Sequence, residues 1–240
     1  MVLELAIVVL GVVIGFQVTS WGQARSDVAK EQTYLRQLAA DLHETLRLAE
    51  RADSINTSNR SDRAAADAIR MYYLPEPPPR DSVIEWLIRP SWIQTVTPLL
   101  GTADALISSG DLGLVRDDSL RAGITAYVAR SRQLIDDQTL HYTEWSRANN
   151  TMMTRMGYAQ HLDWYLAQDS ALASHPLWPG VSGPRRGPFA LDVDDLLRDR
   201  EAQTVINRVL QSRLATISNR KAVKAATEEL LSRIEAHIAP

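Results

Sequence analysis

The sequence predicts an all-α protein in which an N-terminal transmembrane helix continues into a soluble helical bundle. Three observations predict it. The stretch LAIVVLGVVIGF, Leu5 to Phe16, has no polar side chain. Apolar residues then recur at steps of three and four through most of the chain, as on one face of a helix. No stretch alternates apolar and polar residues for more than a few positions, as a half-buried strand would.

Composition sets the class. The chain has 240 residues, 45% of them hydrophobic and 23% charged. That is ordinary for a globular protein and enough for a buried core. A net charge of −3 provides no basic face for nucleic acid. The absence of cysteine removes disulfides, thiolate nucleophiles and thiolate-bound metal clusters. Arginine outnumbers lysine, which reads as genome composition of a bacterium and carries no functional weight.

Residues 1–22 are expected to form the membrane anchor and 23–240 the soluble helical domain. Val2 to Val18 would make about 25 Å of helix, the short end of what spans a hydrocarbon core. Trp21 falls at its end, where an indole suits the interface. A cleaved signal peptide is the rival, but no basic n-region and no A-x-A-like site are present. Gly11 and Gly15 form a G-x-x-x-G pair, which allows close helix approach. At 100° per residue Glu4, Gly11, Gly15 and Gly22 share one narrow stripe, expected to mediate helix association. Chance spacing of glycines is the plainer alternative. Glu4 reads as an interfacial carboxylate rather than a proton relay.

After Trp21 the helical pattern runs on through Val28, Leu35, Leu38, Leu42 and Ala49, with a break expected at Asn56–Asn59. Ser61 is expected to cap a helix from Asp62 to about Tyr73. The Pro-rich stretch 74–80 (LPEPPPR) cannot continue it. Asp81 is expected to cap a short helix ended by Pro90. Pro98 opens a helix over Leu99–Ser109, which Gly110 ends. Asp111–Val115 is expected to be a tight turn. Asp117 or Asp118 caps the longest helix, running to about Leu166, with Ile124, Tyr127, Val128, Leu134, Ile135 and Trp145 as its apolar stripe. Residues 175–190 are rich in Pro and Gly and are expected to be a loop. Asp192 caps a last helical region, broken near Arg200 and ending near His237. Its core face is expected to be Val205, Ile206, Val209, Leu210, Leu214, Ile217, Leu230, Leu231 and Ile234.

Two stretches resemble a family of uncharacterised bacterial single-pass membrane proteins. ELAIVVLGVVIGFQVTSWGQAR (Glu4–Arg25) resembles the family's anchor, which ends in Gln-x-x-x-Trp. ALISSGDLGLVRDDSLRAGITAY (Ala105–Tyr127) is similar to its helix–SSG-x-LGL–helix segment. The resemblance implies no catalytic residues. It implies an inner-membrane protein whose soluble domain is extracytoplasmic. Family members carry a basic segment before the anchor that this sequence lacks. Here Arg25, Lys30 and Arg36 follow the anchor, and the positive-inside rule then places the domain in the cytoplasm.

Candidate chemistry is sparse. His141 and Glu144 are three apart on one helix, but a metal site in a bundle needs a second such set. His43–Glu44 and His161–Asp163 do not share a face. His175 has no evident partner. Gly180–Gly183 is not a nucleophile elbow. Arg185 and Arg186, within Gly183–Gly187, are better read as a solvated loop tip than an anion site. No P-loop or dinucleotide fingerprint occurs. No catalytic, cofactor or metal residue is therefore assigned. Trp86, Trp92, Trp145 and Trp164 read as core, with lining of an apolar pocket as the alternative; Trp178 lies in the 175–190 loop.

The one segment singled out is the turn Ser109, Gly110, Asp111, Leu112, Gly113. Ser109 and Asp111 suit helix caps, Gly110 and Gly113 suit positive φ, and Leu112 and Leu114 would plug the turn into the core. It reads as a structural corner, with a partner-facing turn as the alternative. The expected function is a membrane-anchored helical interaction or scaffold protein without catalytic activity. Its partners would be the lipid bilayer and further copies or another membrane protein. A membrane-anchored sensor with a small molecule between helices is the alternative, and a membrane-bound enzyme the third.

Overall fold

A computed structural model describes residues 2–91, 93–156 and 192–238, with side chains from Ile14 onward. Every regular element among the described residues is helical: α1 (Val2–Ser58), α2 (Ser61–Arg70), α3 (Arg80–Ile88), α4 (Gly101–Ser109), α5 (Asp118–Met156), α6 (Val193–Arg198) and α7 (Arg200–Ile238). Three short 3-10 turns lie between them, at Met71–Tyr73, Arg89–Ser91 and Asp111–Leu114. The all-α class and the bundle follow as expected from the spacing of apolar residues.

Contacts divide the chain into two units. The first holds residues 1–48, 97–133 and 223–240; the second holds 49–96 and 134–222. Each of the three long helices contributes residues to both. In the first unit Leu35, Leu38 and Leu42 of α1 are buried with Leu106 of α4, Ile124 and Val128 of α5, and Leu230 and Ile234 of α7. In the second, Ala65 and Ala68 of α2 and Val83, Leu87 and Ile88 of α3 share a core with Trp145, Met152 and Met153 of α5, and Ile206, Val209 and Leu210 of α7. Burial at this scale is the main stabilising term, about 25 cal/mol per Å² of apolar surface.

The helix ends show where sequence signals acted and where they did not. α1 stops at Ser58, and Arg60 adopts the left-handed conformation at φ 51°. The break falls where the polar Asn56–Asn59 run was expected to place it. Ser61 does not act as the N-cap. It is the first helical residue, its hydroxyl donates back to the Asn56 carbonyl at 3.2 Å, and it is fully buried. Asp81 likewise sits inside the first turn of α3, which follows Pro79 without a side-chain cap. Pro79 itself stands at the N-cap position, with extended ψ of 140°. α4 begins at Gly101, two residues later than expected, and its N-terminus is served by α1: the Thr102 amide donates to Asp41 Oδ2 at 3.1 Å, and the Leu99 amide to Thr45 Oγ1 at 3.0 Å. Asp192 caps α6 as expected, accepting from the Asp195 amide at 3.1 Å. Leu214 is 47% exposed and does not belong to the core face of α7. That face drifts, because polar Arg213, Thr216 and Arg220 occupy the buried positions there.

Among the described residues no helix is long and apolar enough to cross a membrane. The side chains up to residue 13, Glu4 and Gly11 included, lie outside the described ones. So do Trp92, the chain from Gly157 to residue 191 with His161, Asp163, Trp164, His175, Trp178, Arg185 and Arg186, and the two terminal residues.

Candidate functional site: the corner between α4 and α5

The segment Ser109–Asp118 turns the chain from α4 into α5. Gly110 ends α4 at φ 79°, a conformation that costs a residue with a Cβ. Ser109 caps the turn that follows, its hydroxyl accepting from the Asp111 amide at 3.2 Å. Gly113 is a correction to the sequence reading. It lies in the 3-10 turn, where no positive φ is needed, and Gly110 alone among the described glycines has one. Leu112 is partly buried against the core, but the full plug is Val115, at 0% exposure. Leu114 is half-buried, as Leu112 is, and Val115 follows the turn in extended backbone. Asp117, rather than Asp118, caps α5, accepting from the Ser119 and Leu120 amides at 2.8 and 3.1 Å.

Side chains from α1 and α7 fasten this corner. Glu31, within α1, is completely buried. Its Oε1 accepts from the Arg116 amide at 2.9 Å and its Oε2 from Arg116 Nε at 2.8 Å. His237 Nε2, near the end of α7, stands 3.4 Å from Glu31, and its Nδ1 stands 4.0 Å from Asp117. Three turns of fastening thus converge, the third being Tyr34, whose hydroxyl donates to Asp111 Oδ2 at 2.8 Å.

The electrostatics follow from these partners. Burial pushes the Glu31 carboxyl up, but the Arg116 amide and guanidinium, with a smaller pull from His237, bring it below the usual carboxylate range. The Tyr34 and Ser109 hydrogen bonds hold Asp111 low, and the same bond raises the Tyr34 phenol. Asp117 is held low by Ser119 and by the Leu120 amide. The corner therefore gathers three carboxylates that favour their ionised forms. Glu31 and Asp117 accept from backbone amides and Asp111 from the Tyr34 hydroxyl, which is the chemistry of a structural joint.

Elsewhere the sequence candidates separate. Glu144 turns to Arg147 at 3.2 Å, not to His141. Glu44 pairs with Arg47, while His43 meets Glu235 at 3.1 Å. Among the described residues no group of three or more His, Cys, Asp and Glu is placed to hold a metal. Gly15 and Gly22 are exposed, with no atom within 4 Å of where a Cβ would stand. Trp145 is buried in the core of the second unit and Trp86 is partly buried against it, as expected.

Sequence reasoning missed a second polar cluster. Arg213 of α7 is fully buried and donates through Nη2 to Asn56 Oδ1, Ser61 Oγ and Asp62 Oδ1, each at 2.6 Å. Arg220, about two turns on, donates to Asp53 at 2.5 Å and to Asp62 Oδ2 at 2.9 Å. The cluster locks the α1–α2 break. Its only sequence signal was an arginine interrupting the apolar face of α7. Comparison with protein-family models, with curated proteins and with solved structures finds no match to this chain.

Proposed function

We propose that this chain is a membrane-anchored helical interaction protein that self-associates and has no catalytic activity of its own. The observation that carries the reading is the start of α1. Phe16 and Trp21 are 73% and 66% exposed, and Ile14 and Val18 are exposed beside them. They stand on a helix that continues without a break into the buried Glu31, Leu35 and Leu38. Four large apolar side chains exposed between positions 14 and 21 need an apolar environment that the described residues do not supply. The Arg25 guanidinium lies 5.7 Å from the Trp21 ring centroid, an arrangement suited to the membrane–water boundary. The unbroken helix would transmit any movement of the anchor directly to the corner at Glu31. Resemblance to bacterial single-pass proteins supports an inner-membrane location.

Replacing Gly11 and Gly15 together by Ile tests the anchor. Association of the span in a bilayer reporter assay is expected to fall severalfold. An unchanged signal would remove the anchor from the reading. A reporter fused at the C-terminus would assign the side of the membrane: the family resemblance favours the periplasm, and the charges after the anchor favour the cytoplasm.

A second reading, a sensor domain, is favoured by one observation. The Trp145 indole N–H and Asn149 Oδ1 lie one turn apart on α5, both buried, and neither has a hydrogen-bond partner among the described residues. A donor beside an acceptor on an otherwise apolar face suits a small ligand with a hydroxyl or amide group. Quenching or shift of Trp fluorescence by a bound metabolite, lost in Asn149→Leu, would support it. A purified protein that carries no small molecule by native mass spectrometry would count against it.

A further inference from the structure

The stretch Tyr72–Arg80 (YYLPEPPPR) leads from α2 into α3 and serves neither the corner nor the buried arginine cluster. It is more than a connection. Ala65 and Ala68 of α2 share one core with Val83 and Leu87 of α3, so the two helices need no rigid spacer between them. Tyr72, Tyr73 and Leu74 are all exposed, Tyr73 at 83%. No other three consecutive large apolar side chains stand exposed among the described residues. Pro75, Glu76, Pro77, Pro79 and Arg80 follow at the surface, with Pro78 half-buried.

Proline fixes φ near −65° and holds the residue before it in extended backbone. Leu74 has φ −78° and ψ 140°, and Pro79 has φ −54° and ψ 140°, both of polyproline II type. The chain bends at Pro75 and Glu76. Pro75 is the one residue from Leu74 to Pro78 that no proline follows, so the bend falls where the restriction lapses. Extended at Pro75, the segment becomes one polyproline II helix with three residues per turn. Leu74, Pro77 and Arg80 then line one edge, Pro75 and Pro78 the next, and Glu76 and Pro79 the third. Two adjoining edges are apolar and end in a cation, while the acid lies on the edge away from them.

Arg80 breaks a local rule. It opens α3, where the helix dipole disfavours a cation. It is exposed and makes no ion pair among the described residues that would offset this. A residue placed against its local preference, with no compensating contact, marks function rather than stability.

We propose that Leu74–Arg80 is the docking segment for a partner protein that reads polyproline II, through a groove lined by aromatic rings and ended by a carboxylate. Leu74–Pro75 and Pro77–Pro78 fill successive aromatic pockets, Arg80 pairs with the carboxylate, and Glu76 stays in water. Ordering costs little, because Pro75 alone changes its backbone. Exposed Tyr72 and Tyr73 extend the contact at the other end. The inference names a partner different from this chain, and depends neither on the anchor nor on self-association.

The probe is an SH3 domain selective for Pro-x-x-Pro-x-Arg, titrated against the full chain in lipid nanodiscs. Saturable binding is expected. Pro78→Ala and Arg80→Glu are each expected to weaken it about tenfold or more, and Glu76→Gln less than about twofold, with helicity checked by circular dichroism. A full chain that does not bind overturns the proposal, whether or not the free peptide Tyr73–Arg80 binds. Equal weakening by Glu76→Gln and Pro78→Ala overturns it as well. A photo-crosslinking residue in place of Tyr73, in membranes of the source cell, then reports the occupant. The expected adduct is with another protein, is competed by the free peptide and is lost in Arg80→Glu. An adduct of two copies of this chain, an adduct with lipid, or no adduct would rule out such a partner.

Discussion

Two buried charged residues define what this fold tolerates at the scale of single side chains. Arg213 has no exposed surface, and burial pushes its guanidinium down while Asp62 pulls it back up. Without Arg213, Asp62 keeps Arg220, but the buried Asn56 and Ser61 lose their donor and a cavity is left beside them. Arg213→Ala is therefore expected to cost about 2–4 kcal/mol, read from urea unfolding. A loss near zero would mean that the cluster is replaceable packing. Glu31 differs in that its partners are a backbone amide and a guanidinium that reaches solvent. Glu31→Gln keeps one acceptor and the volume, so a smaller loss of about 1–3 kcal/mol is expected. Glu31, Asp111 and Asp117 are all held below the usual carboxylate range. A carboxylate lowered in the folded state stabilises the fold above its unfolded value, and that contribution disappears as pH falls through its folded value. Stability should thus be flat near neutrality and drop below about pH 4, measured as the urea midpoint against pH. The drop should be shallower in Glu31→Gln than in the parent.

At the scale of elements, the corner between α4 and α5 is where sequence and structure can be compared most closely. Gly110→Ala is expected to cost roughly 1 kcal/mol, because φ 79° is strained for any residue with a Cβ. Gly113→Ala should be neutral or slightly stabilising, since no positive φ is required there and open space surrounds it. The pair of thermal melts separates the two glycines that the sequence motif makes look alike. The helices themselves were legible because periodicity and breakers are local signals. The Asn56–Asn59 run, the prolines of 74–80 and Gly110 each punctuate the chain without help from elsewhere. Tertiary substitutes for local caps were not legible. Asp41 reaches from α1 to the start of α4 across 61 positions, and Glu31 reaches the corner across 85. Nothing near Thr102 or Arg116 announces the partner, and a buried Glu31 looks in sequence like any solvated glutamate.

For the molecule as a whole, the arrangement of the chain decides how it should unfold. The first unit is assembled from three separate stretches and the second from two. Each of α1, α5 and α7 carries residues of both, so neither unit has a long helix of its own. Melting the second unit must therefore leave three helices of the first with frayed ends, at the positions where their hydrogen bonds run on. Nucleating a helix anew is costly, while extending an existing one is favourable. The two units are accordingly expected to unfold in one cooperative transition. Hydrogen exchange in Arg213→Ala provides the check, because the substitution lies wholly within the second unit. Faster exchange is expected both in peptides around Ile206–Leu210 and in those around Leu35–Leu42, with similar protection lost in each. If exchange rises around Ile206–Leu210 while Leu35–Leu42 keeps its parental protection, the continuous helices do not couple the units. The unit holding Glu31 would then fold on its own energy, and a movement of α1 would reach the corner without passing to the second unit.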